Sequence, residues 1–187
     1  VLWIPNAPIL SDEEIDLFRK YVEQGGKLIA TGITGTRDSY GVFSPSKTWQ
    51  DLIGGKIVQE LKTDDNHWKF TRELKGDLNL LTRSLPIRWP FLMRSPALQL
   101  TTQDARGAGE LLLPHRTVLQ TLGKHGTEWP MSGNQKLPAG PAALIQVVGQ
   151  GQVVTLAASP GFAYAGDWAL SEHRQLMENI LDYLNPD

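Results

Sequence analysis

The feature that most constrains this chain is the order of elements in residues 1–32. Val1-Leu2-Trp3-Ile4 is almost wholly apolar and is stopped by Pro5-Asn6-Ala7-Pro8, which predicts a short strand buried on both faces. Ser11-Asp12-Glu13-Glu14 then opens a helix with a Ser-x-x-Glu capping box, in which the serine and glutamate each satisfy a backbone N–H of the first turn. Ile15, Phe18 and Val22, with Leu17 and Tyr21 beside them, give an apolar stripe at helical spacing. Gly25-Gly26 ends it, and Lys27-Leu28-Ile29-Ala30-Thr31-Gly32 reads as a second buried strand. A strand, helix, strand unit of this length predicts two parallel strands.

The rest of the chain extends this α/β pattern. Lys56–Leu61 and His67–Thr71 are β-rich runs around the turn-forming Asp64-Asp65-Asn66, which predicts a hairpin. Pro86, Pro90 and Pro96 exclude a long helix over 76–96. Further strands are expected at 98–102, 109–113 and 117–122, and a long Gly/Pro-rich surface loop over 123–140. Residues 142–148 and 152–158, joined by Gly149-Gln150-Gly151, predict an antiparallel hairpin. A closing helix is expected from Ser171, with Leu176, Ile180, Leu181 and Leu184 buried and Asn185-Pro186 as its stop. The predicted fold is therefore α/β, a mainly parallel sheet flanked by helices on both faces with a hairpin at 142–158, in a single domain over 1–187.

Composition narrows the function. Eighteen basic against 20 acidic residues leave a net charge of −2, so there is no positive field to draw in nucleic acid or anionic lipid. No apolar run approaches the ~20 residues that cross a bilayer as a helix. The absence of Cys excludes a thiolate nucleophile, a thiolate metal site and a disulfide framework, while leaving the compartment open. His67, His115, His125 and His173 share no metal-binding spacing; the expected roles are a strand residue for His67, a partly buried polar residue for His115, and surface or capping roles for His125 and His173. The Gly-x-Gly at 149–151 lacks the following helix of a dinucleotide loop. No metal or cofactor is expected.

Residues 1–55 resemble the middle, or trimerisation, domain of bacterial beta-galactosidases, whose fold is similar to that of class I glutamine amidotransferases and of flavodoxin-like proteins. The resemblance rests on the Pro-stopped strand, on Tyr21-Val22-Glu23-Gln24-Gly25-Gly26, on the second strand running into Thr34-Gly35-Thr36-Arg37-Asp38, and on Trp49-Gln50-Asp51-Leu52-Ile53-Gly54-Gly55. It resumes with Pro141, the Gly149-Gln150-Gly151 turn, Val153–Ala158 and Met177–Leu184. It implies a piece of a longer chain, preceded by a further strand-helix unit that would make the first strand internal. It also implies a non-catalytic role in assembly, or in shaping the substrate entrance of a catalytic domain that carries the carboxylates elsewhere. The implied partners are that catalytic domain of the parent chain and other copies of it, as a homo-oligomer.

Other chemistry finds less support in these residues. A standalone small-molecule hydrolase would need a hydroxyl nucleophile, and Thr31, Thr34 and Thr36 follow the second strand without a Gly-x-Ser-x-Gly elbow. Loop hydroxyls that cap backbone groups are the commoner use of such residues. Glu13-Glu14, Asp64-Asp65 and Glu172 sit at helix starts and a turn, not as a facing pair. Thr36, Arg37 and Asp38 lie past the carboxyl end of a parallel strand, where α/β folds place their crevice; an Arg37–Asp38 contact is the favoured structural alternative. Trp129, Tyr164 and Trp168 are candidates for an interface or for stacking on a carbohydrate.

Overall fold

The computed structural model describes residues 1–61, 67–69, 80–86, 91–93, 95–114, 136–161 and 170–186. It is a mixed α/β fold. Strand β1 (Leu2–Pro5) leads through helix α1 (Asp12–Glu23) to β2 (Lys27–Thr31), and helix α2 (Lys47–Ile53) follows. Then come β3 (Gly55–Leu61), β4 (His67–Lys69), β5 (Phe91–Leu92), β6 (Ala97–Thr102), β7 (Arg106–Pro114), β8 (Lys136–Val148), β9 (Gly151–Leu156) and helix α3 (Ser171–Leu184). One sheet runs β1-β2-β9-β8-β7-β4-β5, and β3 pairs with β6 in a separate two-stranded sheet.

The first unit forms as its sequence dictates. Ser11 accepts from the Glu14 N–H at 3.2 Å while Glu14 Oε2 accepts from the Ser11 N–H at 2.8 Å, so the capping box is complete. β1 and β2 are parallel, with Leu2 opposite Leu28 and Pro5 opposite Thr31. β2 is parallel to β9, with Lys27 opposite Gln152 and Thr31 opposite Leu156. Successive residues 153–156 of β9 are all buried, so both faces of this strand are covered, as its unbroken apolar run requires. α1 and α2 pack on each other and both meet β9 and β8.

Four departures from the sequence expectations have physical causes. Parallel pairing, expected for most of the sheet, is limited to β1, β2 and β9, because the tight Gly149-Gln150 turn folds β8 back antiparallel to β9 and β7 pairs antiparallel with β8. The runs at 56–61 and 67–69 are not a hairpin: β3 pairs with β6, while β4 pairs with β7 and β5. Residues 136–140, expected in the long loop, are strand; there β8 has β7 on one side and lies beyond the end of β9, the one-sided setting in which Pro138 and Pro141 are tolerated. In α3 the buried side chains are His173, Leu176, Asn179, Ile180, Tyr183 and Leu184, whereas Leu181 is 45% exposed. The strand expected at 117–122 lies outside the described residues.

Candidate functional site

The carboxyl ends of β1, β2 and β9 point to one edge of the fold, and the segment after β2 is folded across it. Gly35 N–H donates to Ala7 O and Arg37 N–H to Pro8 O, each at 2.9 Å, and Arg37 forms bridges to Ile9 and Phe43. Thr34 is the knot between the two strand ends. Its Oγ1 accepts from the Ala7 N–H at 3.2 Å and lies 2.8 Å from Thr31 O and 3.3 Å from Ile4 O, the carbonyls to which its hydroxyl donates.

Thr36 and Arg37 converge on Glu60, at the far end of β3. Thr36 Oγ1 is 2.8 Å from Ile33 O and 3.1 Å from Glu60 Oε1, and Arg37 Nη2 donates to Glu60 Oε2 at 2.6 Å. Arg37 Nη1 donates to Gly41 O at 2.9 Å. Asp38 takes no part in that cluster. Its Oδ1 accepts from the N–H groups of Tyr40 at 2.9 Å and Val42 at 3.0 Å, closing the loop on itself. The Arg37–Asp38 contact expected from sequence is thus replaced by Arg37–Glu60, because Asp38 is occupied by the turn it initiates. Glu60 lies 23 residues from Arg37 and carries no local motif, so pairing of β3 was the information sequence reasoning lacked. Trp129, Tyr164 and Trp168 lie outside the described residues.

The three threonines offer little nucleophilic chemistry. Thr31, Thr34 and Thr36 are buried; Thr31 Oγ1 accepts from the Trp3 indole N–H at 3.4 Å, and the other two hydroxyls face backbone carbonyls. The one histidine whose side chain is described, His173, is not hydrogen-bonded to any of them. His173, read as a surface or capping residue, caps its helix but is fully buried. Its Nδ1 accepts from the Leu170 N–H at 3.3 Å, and its Nε2 lies 2.7 Å from Leu92 O. That pair of partners selects the tautomer with the proton on Nε2. Burial pushes the imidazole below its ordinary value of 6.5, opposed by the Leu92 carbonyl and the charge of Glu172. Among the described residues, no three His, Asp or Glu side chains are grouped as metal ligands.

Two of the cavities on the described surface lie at the ends of the parallel strands. An open groove of about 620 Å³ lies between Val1 at the amino end of β1, Leu80, Arg83 and the carboxyl end of α3, where Arg83 and Asp182 form an exposed ion pair. The second, of about 220 Å³, lies at the carboxyl edge and is lined by Asn6, Ile33, Ser95, Pro96 and Ser159. Sequence reasoning singled out none of those five. The available signal was Asn6 and Ser159, each a small polar residue next to proline where a strand ends.

No family model matches this chain, and no curated protein matches it in sequence. Solved structures do. A catalytic mutant of Gan42B, a GH42 beta-galactosidase from G. stearothermophilus, matches 98% of this chain and 21% of its own, with 15% identity and a TM-score of 0.60. Alpha-L-fucosidase isoenzyme 2 from Paenibacillus thiaminolyticus matches 99% of this chain and 25% of its own, with 15% identity and a TM-score of 0.67. A ThuA-like protein from Bacteroides uniformis ATCC 8492 matches 97% of this chain and 68% of its own, with 14% identity and a TM-score of 0.60. The chain spans about a fifth to a quarter of the two glycosidases it matches, and what it shares with them at this identity is a fold, the fold of a segment carried within GH42 beta-galactosidases.

Proposed function

We propose that this chain is a non-catalytic accessory domain of a larger glycoside hydrolase, a relative of the beta-galactosidase trimerisation domain with an amidotransferase-like arrangement of helices on both sheet faces. Its work is assembly of the parent enzyme, or shaping the substrate entrance of a neighbouring catalytic domain. The observation that supports this most is coverage: nearly the whole chain superposes on a fifth of a beta-galactosidase. The chemistry of the edge agrees with it. Thr36, Arg37 and Asp38 are spent on holding their own loop, and that loop presents Tyr40, which is 90% exposed, with Val42 and Phe43 beside it. A rigid loop with an aromatic tip suits a protein contact.

The alternative, a standalone hydrolase with a hydroxyl nucleophile, would need a threonine free to attack and a base beside it; Thr31, Thr34 and Thr36 are buried, and the carboxylate beside Thr36, Glu60, is paired with Arg37. The deciding experiment is on the parent. Its reading frame is expected to encode a separate domain with two facing carboxylates. Tyr40→Ser in that protein is expected to lower the oligomeric mass seen by light scattering or to raise KM for an aryl galactoside with kcat little changed. A frame with only a few tens of residues ahead of Val1 would overturn the proposal, as would a parent whose mass and KM are both unmoved by Tyr40→Ser.

A further inference from the structure

We draw no further inference here: the strongest candidate, the outer edge of β1, where Val1, Leu2 and Trp3 are exposed and which among the described residues pairs with β2 alone, carries nothing, because nothing in the structure shows what covers it.

Discussion

Gly35→Ala tests how the loop after β2 is seated. Gly35 has φ of 68°, a conformation that costs an alanine about 1 kcal/mol. A Cβ there would also lie 2.5 Å from Cδ1 and Nε1 of Trp49 and 2.8 Å from its Cγ, more than 1 Å inside normal carbon contact. Trp49 is fully buried and cannot swing out, so the overlap adds about 2 kcal/mol of overpacking. The expected loss is about 3 kcal/mol, measured by urea unfolding followed by circular dichroism with the m-value unchanged. The mechanism is separable from a generic loop defect by a double-mutant cycle. Trp49→Leu alone is expected to cost about 2 kcal/mol, since the cavity it leaves is partly offset by removing an indole N–H that has no partner among the described residues. In that background Gly35→Ala should cost only its backbone strain, so the two changes should couple favourably by about 2 kcal/mol. Additivity to within about 0.5 kcal/mol would show that contact with Trp49 is not what requires glycine at this position.

Three further outcomes follow from the same geometry. Thr34→Val keeps the shape but strands the Ala7 N–H and frees two carbonyls, and is expected to cost about 1–3 kcal/mol in urea unfolding; a loss below about 0.5 kcal/mol would refute the knot. Glu60→Gln removes the charge facing Arg37, but these side chains are 16% and 31% exposed, so the stability loss should be no more than about 1 kcal/mol and should shrink in high salt; faster amide exchange at 38–44 is the sharper sign, and its absence would count against the clamp. For His173, a folded-state pKa held below 6.5 means the stability it contributes is fully present above pH 6.5 and is lost as pH falls through the folded value. His173→Gln, which can donate and accept in the same places, should flatten that acid slope; identical slopes in both proteins would show that the imidazole is not its source.

How much of this was legible in the sequence depends on how local the cause is. α1 is readable because its cap, its stripe and its stop lie within 16 residues of one another, and the β8–β9 hairpin because the turn that fixes its register is two residues long. β3 and β4 look like a hairpin by every local measure and are not one, since each pairs with strands further along the chain, β3 with β6 and β4 with β5 and β7. Pro138 and Gly140 argue for a loop until the pairing shows that β8 at that point is bonded on one side only. The same divide runs through the site. Position after a parallel strand marked Thr36, Arg37 and Asp38 correctly as edge residues, but their partners are set by where β3 delivers Glu60. His173 shows the limit on the other side: a polar residue near a helix start reads as exposed, and only packing against Leu92 reveals that its burial is satisfied at both nitrogens.

The mixed character of the sheet bears on where a function can sit. In the antiparallel half the tight β8–β9 turn returns the chain at once and leaves little room for a site. In the parallel half each strand must leave at the same edge and travel back through a long connection, so the segments after β1, β2 and β9 are forced together. Two of those segments meet as a knot at Thr34, and all three border the small cavity. The knot has no group left to give, since each of its polar atoms already holds the backbone in place.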